Sequence, residues 1–294
     1  MDIKGIITAM VTPFDENQKI NPLATKQLVN KLIDKEVGGL FILGTNGEFH
    51  TLSREEKLYF AKLVIDEVDK RIPVYVGTGG NSTVEVIELS KKMEALGADA
   101  ISVITPYFLA PTQKELINHY KSIASSVDIP IILYNIPKNT GINLEFETVY
   151  ELSKVSNISG IKDSSGNIEN IKGYIEVTKD SDFSVLSGSD SLILKSLNLG
   201  AKGAIAATSN LLTEINVAIY KNFLKGNMEE AEKFQKDIDV LRGVLKLGTV
   251  PSVLKKAVEL SGIPVGPARL PVMEIHDDLV VEKIREMLRY YKFL

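Results

Sequence analysis

The sequence contains no cysteine, which excludes disulfide bonds and metal sites built on thiolates. Histidine is almost as rare. The three that are present, His50, His119 and His276, show none of the paired spacing that zinc ligands have. We therefore expect no zinc-dependent chemistry, and we expect each histidine to lie at the surface or to cap a helix.

Three other features are absent. The chain has no long basic run, and its 38 acidic residues outnumber its 34 basic ones, so nucleic acid is not an expected partner. No apolar run approaches the roughly 18 residues that span a bilayer. The first ten residues, MDIKGIITAM, have an acidic second residue and lack the apolar segment of a signal peptide. We expect a cytoplasmic protein without membrane contact.

Short apolar runs recur along the chain, and most are continuously apolar rather than alternating. Continuous runs of this length are typical of strands that are covered on both faces, as in parallel sheets. The hydrophobic content of 44% is ordinary and is sufficient for a large core. Eight such runs occur, at residues 6–11, 39–44, 73–77, 100–105, 130–134, 158–162, 183–188 and 203–207.

Charged segments with helical spacing separate the apolar runs. Two of them begin with capping boxes, Ser53 with Glu56 and Thr112 with Glu115. Eight strand–helix units follow one another, the last helix at about 211–225, so we expect an α/β protein with a (β/α)8 TIM barrel. An open dinucleotide-binding sheet would need GxGxxG after the first strand, where the sequence reads TPFDEN.

The remaining part of the chain has a different pattern. Residues 226–294 contain no strand-like run and show the spacing of three further helices. We expect a catalytic barrel at residues 1–225 and a C-terminal three-helix extension at residues 226–294 that packs on it. No Gly/Ser-rich or low-complexity stretch marks a flexible linker between the two parts.

Polar residues at the carboxyl ends of the strands are the candidates for function, because barrel active sites are built there. They occur in the motifs GTNGE (44–48), TPYF (105–108), YNIP (134–137), KD (162–163), SGSD (187–190) and ATSN (207–210). The turn at 44–47 would bring successive backbone N–H groups to the barrel mouth, where they could form a nest for a carboxylate or a phosphate. A plain tight turn explains the same motif equally well.

Lys162 is the most unusual of these residues because it ends a buried strand. A charge that is removed from water without a partner is costly, and a lysine commonly responds by losing its proton, which makes it a nucleophile. Its small neighbours, such as Gly160, give no packing reason for a long side chain. A salt bridge to Asp163 or Glu48 is the structural alternative.

Tyr134 ends the strand before that of Lys162. A buried tyrosine usually does no more than form a hydrogen bond through its hydroxyl group. An amine, a phenol and an anion nest at one rim, however, predict Schiff-base chemistry on a 2-oxo acid. The amine attacks the ketone, and the protonated imine accepts electrons while a carbon–carbon bond breaks or forms. The tyrosine would transfer the protons.

With these motifs the sequence resembles the pyruvate-dependent class I aldolases of the dihydrodipicolinate synthase/N-acetylneuraminate lyase family. The resemblance extends from GIITAMVTPF to the last helices, and YNIP followed roughly two dozen residues later by GIKD is its most specific part. It implies a TIM barrel with a C-terminal helical bundle, usually a homotetramer. It also implies pyruvate and a small aldehyde as substrates, and neither a metal nor an organic cofactor.

The resemblance implies roles for particular residues. Lys162 matches the Schiff-base lysine, and Tyr134 matches the tyrosine of the proton relay. Thr45 matches the hydroxyl group that links this relay, and together with Asn46 it matches the pair that holds the pyruvate carboxylate. In this family a neighbouring subunit provides a further relay tyrosine, whose position here is Phe108.

The rest of the expected pocket is divided between the two substrates. Gly188 and Ile205 match residues that line the pyruvate end. Ser164, Ser189 and Asp190 would face a polyol chain, because short polar side chains suit a hydroxylated substrate.

Departures from the family pattern affect the choice of substrate. Dihydrodipicolinate synthases have a second threonine where this chain has Asn46, and an arginine for the carboxylate of aspartate semialdehyde where this chain has Asn139. The GLFILG-x-x-GEF and GTGG stretches look closest to the 2-keto-3-deoxy-sugar-acid aldolases. The main expectation is therefore a lyase that cleaves or forms a 2-keto-3-deoxy sugar acid.

Three alternatives stay open. The first is a 4-hydroxy-tetrahydrodipicolinate synthase that condenses pyruvate with aspartate semialdehyde. The second is a phosphate-binding TIM-barrel isomerase, because SGSD and GAKGAIAA follow strands 7 and 8, where many barrels bind phosphate. The third is a barrel that binds a 2-oxo acid without turning it over, which the combination of Lys162 with Tyr134 disfavours.

Overall fold

Eight parallel strands form a closed barrel in the computed structural model, which describes residues 3–294. Each strand pairs with the next one along the chain, and β8 closes on β1. Every predicted apolar run contains or overlaps a strand, and the (β/α)8 TIM barrel is confirmed. The strands are β1 Gly5–Ala9, β2 Gly39–Ile42, β3 Val74–Gly77, β4 Ala100–Ile104, β5 Ile131–Asn135, β6 Ile158–Asp163, β7 Ser184–Ser187 and β8 Gly203–Ala206.

The burial of the strands explains why the apolar runs are continuous. Apart from the half-buried Ser159, every strand residue is buried, since one face fills the barrel and the other packs under helices. The barrel closes where β8 meets β1, and the backbones are very close there. A Cβ atom on Gly203 would lie 2.1 Å from the carbonyl oxygen of Gly5, so the seam requires a glycine.

Helices connect the strands on the outside of the barrel, and both predicted capping boxes are present. The one-turn helix α5, between β5 and α6, has no counterpart in the predicted pattern. Short 3-10 helices also follow β2, β7 and β8, at Phe49–Thr51, Asp190–Leu192 and Thr208–Asn210. The barrel helices are α1 Pro22–Asp34, α2 Arg54–Val68, α3 Thr83–Ala95, α4 Gln113–Ala124, α5 Pro137–Thr140, α6 Phe146–Ser153, α7 Ile168–Thr178, α8 Ile193–Leu199 and α9 Thr213–Leu224.

Three helices follow the barrel: α10 Met228–Leu245, α11 Ser252–Leu260 and α12 Asp278–Tyr290. Helix α10 packs on α8 and α9, α12 packs on α10 and α11, and α11 also contacts the turn after β8. The division of the chain at residue 225 stays a prediction. No helix within residues 3–294 is long and apolar enough to cross a membrane.

The expected surface or capping position is wrong for His119. This residue lies on the buried face of α4, beside Tyr120, and is only 7% exposed. Its Nδ1 atom is 2.8 Å from Thr83 Oγ1, whereas its Nε2 atom is buried and has no partner within the described residues. Burial lowers the pKa of His119 to about 4, so the ring is neutral at neutral pH.

Candidate active site

A cavity of about 890 Å³ opens at the carboxyl ends of the strands. Loops after β2, β5, β6, β7 and β8 line it, and α10 contributes residues from one side. This end of the barrel is where the sequence predicts the site. All the predicted site residues except Phe108 line the cavity: Thr45, Asn46, Tyr134, Asn139, Lys162, Ser164, Gly188, Ser189, Asp190 and Ile205.

Lys162 lies next to Tyr134 because β5 and β6 pair with these two residues in register. The lysine is 3% exposed, and its Nζ atom is 4.1 Å from the centre of the Tyr134 ring and 4.6 Å from that of Phe41. Ring faces attract an ammonium group electrostatically but accept no proton from it. The amine is thus held between two aromatic rings at the wall of the cavity.

The salt-bridge alternative for Lys162 does not hold. Asp163 accepts a hydrogen bond from Asn135 Nδ2 at 2.8 Å, and burial raises the pKa of this carboxyl group. Glu48 is paired with Lys255 at 3.0 Å. Within residues 3–294 no carboxylate lies at ion-pair distance from Lys162 Nζ.

The predicted hydroxyl pair is present. Tyr134 Oη and Thr45 Oγ1 are 3.1 Å apart, a distance at which either group can donate to the other. The Tyr134 ring also packs edge-on against Phe41, with ring centres 6.1 Å apart. The phenol therefore has a fixed orientation between the lysine and the threonine.

The turn at residues 44–48 leaves backbone donors free at the barrel mouth. Glu48 N donates to Thr45 O at 3.1 Å and so closes the turn. In contrast, the N–H groups of Asn46 and Gly47 have no acceptor within the described part of the chain. Two N–H groups without an acceptor, in the turn that carries Thr45, are what the predicted nest for an anion requires.

Gly188 keeps space open beside the amine. A Cβ atom at this position would lie 2.0 Å from Ser164 Oγ and 3.0 Å from Lys162 Cε, so a larger residue would displace the serine hydroxyl group and crowd the lysine. The Ser164 hydroxyl group donates to Gly188 O at 3.3 Å. Ile205, which is 1% exposed, provides an apolar wall from β8.

Asp190 has a different environment from the predicted one. Its two carboxylate oxygens accept hydrogen bonds from Ala207 N at 3.2 Å and from Thr208 N at 2.8 Å. It is 8% exposed, and burial raises its pKa. Asp190 therefore joins the turns after β7 and β8 and does not present a free carboxylate to a polyol chain. Ser189, at the cavity wall, has a side chain without a partner among the described residues.

Phe108 lies outside the cavity of its own chain. Its side chain is 93% exposed, its φ angle is +79°, and Leu109 beside it is 76% exposed. The resemblance assigns this position to a neighbouring subunit's site, so its role stays a prediction about an assembly.

Three basic residues line the cavity; the sequence suggests Lys138, directly after YNIP, as a partner for the semialdehyde carboxylate, but it does not suggest the other two. Lys138 comes from α5, Arg242 from α10, and Lys246 follows α10 directly. Arg242 and Lys246 are four residues apart and thus on one side of the helix. Asp190 is the one carboxylate in the lining, and its oxygens are already bonded, so the mouth favours anions. The four-residue spacing of Arg242 and Lys246 is visible in the sequence, but the position of α10 across the mouth of the barrel is not.

The fold and this arrangement of side chains agree with a comparison against protein families. The model described as the dihydrodipicolinate synthetase family matches residues 2–289. The chain belongs to this family. It is thus an enzyme of the pyruvate-dependent class I type, whose members act as aldolases or lyases through a Schiff base.

Individual family members are similar over nearly their whole length. A 4-hydroxy-tetrahydrodipicolinate synthase 1 from Halalkalibacterium halodurans is 42% identical over 94% of this chain and 93% of its own. A 4-hydroxy-tetrahydrodipicolinate synthase from Archaeoglobus fulgidus is 40% identical over 97% of both chains. The crystal structure of a chloride-inhibited dihydrodipicolinate synthase from Acinetobacter baumannii, complexed with pyruvate, has a TM-score of 0.95 at 34% identity and covers 99% of this chain and 100% of its own.

Proposed function

We propose that this enzyme condenses pyruvate with aspartate semialdehyde through a Schiff base on Lys162, the reaction of a 4-hydroxy-tetrahydrodipicolinate synthase. One observation carries the chemistry. A buried amine without a carboxylate partner lines a cavity beside the hydroxyl pair of Tyr134 and Thr45. Such an amine has the surroundings of a covalent nucleophile rather than those of a structural cation.

In the first half of the proposed reaction, Lys162 Nζ attacks the ketone carbon of pyruvate. Tyr134, assisted by Thr45, donates a proton to the oxygen, which leaves as water, and a protonated imine remains. The free N–H groups of Asn46 and Gly47 bind the pyruvate carboxylate.

In the second half, the Tyr134 phenolate removes a proton from the methyl group while the imine accepts the electron pair. The resulting enamine attacks the aldehyde carbon, and Tyr134 returns the proton to the new alkoxide. The amino group of the former semialdehyde then attacks the imine carbon and closes the ring. One of its protons passes to the nitrogen of Lys162, which leaves as a free amine, and the other restores the Tyr134 phenol.

Two observations support an aldehyde that carries a carboxylate. The first is the basic lining of the mouth, where Lys138, Arg242 and Lys246 have no free carboxylate among them. An arginine can bind a carboxylate through two parallel hydrogen bonds, which Asn139 cannot do. We assign that contact to Arg242 and the two lysines. The second observation is that the similar relatives carry the name 4-hydroxy-tetrahydrodipicolinate synthase.

A 2-keto-3-deoxy sugar acid, the main expectation from the sequence, is the second candidate. Asn139 and the hydroxyl groups of Ser164 and Ser189 favour it, because they suit a neutral, hydroxylated tail. Its tail would leave Lys138 and Lys246 without an anionic partner, and Arg242 with only its pair to Asp239 at 3.3 Å. The names of the relatives and the basic lining therefore support the synthase reaction better.

The Schiff base is tested by reduction. Borohydride with pyruvate should inactivate the enzyme and add the mass of reduced pyruvate to the peptide that contains Lys162. Lys162→Ala should abolish labelling and turnover. The matched control is Lys202→Ala, an exposed lysine just before β8 and so at the opposite end of the barrel, which should label normally. Labelling of another lysine would refute the proposal.

The second substrate is tested by measuring kcat/KM for both reactions on one preparation. A charged hydrogen bond contributes on the order of 1.5–3 kcal/mol, so the semialdehyde should be preferred by about tenfold or more. A preference of the same size for a 2-keto-3-deoxy sugar acid would instead show that this acid is the substrate, and the imine chemistry would be unchanged.

We also propose that the chain assembles into a homotetramer, as the resemblance implies. The exposed apolar pair of Phe108 and Leu109 supports this proposal, because adjacent large apolar side chains are commonly covered by a partner. Light scattering after size-exclusion chromatography should give the mass of four chains. A monomer mass at micromolar concentration would contradict the proposal.

A further inference from the structure

A buried ion pair joins the C-terminal helices to the turn that carries Thr45. Lys255 is on α11 and Glu48 follows β2, and the two lie 207 residues apart in the sequence. Lys255 Nζ and Glu48 Oε1 are 3.0 Å apart, and the two residues are 0% and 1% exposed. Neither residue lines the cavity, and neither takes part in the proposed chemistry.

All the charged groups of this pair have further partners. Lys255 Nζ also donates to Thr12 O at 2.8 Å, and Thr12 Oγ1 in turn donates to Gly47 O at 2.7 Å. Glu48 Oε2 accepts from Arg269 N at 2.7 Å. Taking two charges out of water is costly, and an apolar pair of similar size often gives equal stability. The ion pair is therefore better explained by the position that it imposes on the turn than by a gain in stability.

The turn connects this pair directly to the two hydroxyl groups. Glu48 N donates to Thr45 O at 3.1 Å, and Thr45 Oγ1 is 3.1 Å from Tyr134 Oη. Glu48 has a φ angle of +55°, in the left-handed region that residues other than glycine rarely adopt without support from their surroundings. The side-chain contacts of Glu48 provide that support.

We propose that Lys255 and Glu48 are positioning residues for the proton transfers of Tyr134 and Thr45. The proposal rests on the proposed function, since it concerns steps of that reaction. It makes α11 a part of the support of the active site rather than a covering layer. Loss of the pair changes the alignment of the two hydroxyl groups and slows their proton transfers, whereas the Lys162 amine is unchanged and is still trapped when the borohydride reaction runs to completion.

The test replaces both charges together, because either single substitution leaves the other charge buried without its partner. In Lys255→Met/Glu48→Gln no charge remains, and the glutamine can still accept from Arg269 N. Borohydride trapping with pyruvate counts the active sites, and kcat is expressed per trapped site. We expect normal trapping and a kcat per trapped site that is about tenfold to hundredfold lower, as for a misplaced catalytic group.

A second measurement separates positioning from a general loss of structure. Tyr134→Phe removes the hydroxyl group that the pair positions. In that background, adding Lys255→Met/Glu48→Gln should lower kcat per trapped site by less than about twofold, because residues that act as a unit are not additive. A purely structural effect would multiply with that of Tyr134→Phe and would contradict the proposal.

Lys256→Met is the matched control. Lys256 is on the same helix, but it pairs with Glu259 at 3.2 Å and Glu274 at 2.9 Å instead of with the turn. Its kcat per trapped site should equal that of the wild type. An unchanged value in the double variant would overturn the positioning proposal alone, whereas failure of trapping in the wild type would overturn the Schiff-base function. If the double variant does not fold, Lys255→Arg, which keeps both charges but changes the geometry of their contact, replaces it and should also lower kcat per trapped site.

Discussion

At the scale of single residues, the site depends on two side chains that neighbouring strands hold side by side. The register of β5 and β6 pairs Tyr134 with Lys162, and the Phe41 ring contacts both. The amine has aromatic faces instead of carboxylates around it, while the phenol has the Thr45 hydroxyl group. These different surroundings suit the amine for attack on a carbonyl carbon and the phenol for proton transfer.

Tyr134→Phe should lower kcat by roughly 10²–10⁴, the range for the loss of a general acid–base group. The ring stays in place, so its packing with Phe41 is retained and Lys162 should still be trapped by borohydride. The measurement is steady-state kcat beside trapping on the same protein. Tyr150→Phe, at an exposed tyrosine on α6, is the control and should be neutral. A loss below about tenfold would leave Tyr134 a packing role only.

His119 should make the fold sensitive to acid. Its pKa is about 4 in the folded chain, against 6.5 for a free histidine, so between these values the unfolded chain binds a proton that the folded chain does not. The free energy of unfolding should therefore fall as the pH falls from about 6.5 to about 4, by up to about 3 kcal/mol from this residue.

The measurement is urea unfolding at several pH values and one protein concentration. His119→Asn removes the titration and keeps a polar atom near Thr83, so its stability should depend less on pH than that of the wild type. His276→Asn, at a histidine whose side chain is 78% exposed, should follow the wild type. Parallel curves for all three proteins would contradict the assignment.

At the scale of elements, α10 is the helix that changes the interpretation of the site. It packs on α8 and α9, and its last turn brings Arg242 to the barrel mouth, with Lys246 directly after it. The ion pair of Arg242 with Asp239, at 3.3 Å, is largely exposed, so it adds little stability. A substrate anion is a better reason for a cation at this place.

Arg242→Gln/Lys246→Gln should raise KM for aspartate semialdehyde by about tenfold or more, since a charged hydrogen bond to its carboxylate is lost. The KM for pyruvate and the borohydride trapping of Lys162 should not change. Lys236→Gln, on the same helix but outside the cavity lining, is the matched control. An equal rise in KM for both substrates would instead indicate a general disturbance of the mouth.

At the scale of the whole molecule, the eight strands act together only if the barrel closes, and closure depends on the seam between β8 and β1. Gly203→Ala should lower the free energy of unfolding by more than about 3 kcal/mol or prevent folding, because a methyl group would lie 2.1 Å from the carbonyl oxygen of Gly5. Gly243→Ala, inside α10 with no atom near the new methyl group, should stabilise by about 1 kcal/mol or less. Denaturant unfolding of both variants makes the comparison, and equal effects would contradict it.

The sequence by itself determined the eight strands, the long barrel helices and their capping boxes. These features depend on hydrophobic periodicity and on hydrogen bonds between residues three or four apart, both of which are local. It also predicts roles for Lys162 and Tyr134, because a lysine at the end of an apolar run is anomalous and a tyrosine ends the preceding strand; those roles stay a prediction. The one-turn α5 is too short to produce a periodic pattern.

Only the tertiary structure decided which distant residues meet. The basic lining of the mouth, the pairing of Glu48 with Lys255, the backbone contacts of Asp190 and the burial of His119 all depend on how elements pack against one another. A charged or polar side chain looks the same in the sequence whether it faces water or a partner 207 residues away. Its environment, and therefore its chemistry, exists only once the barrel has closed and the last helices have packed on it.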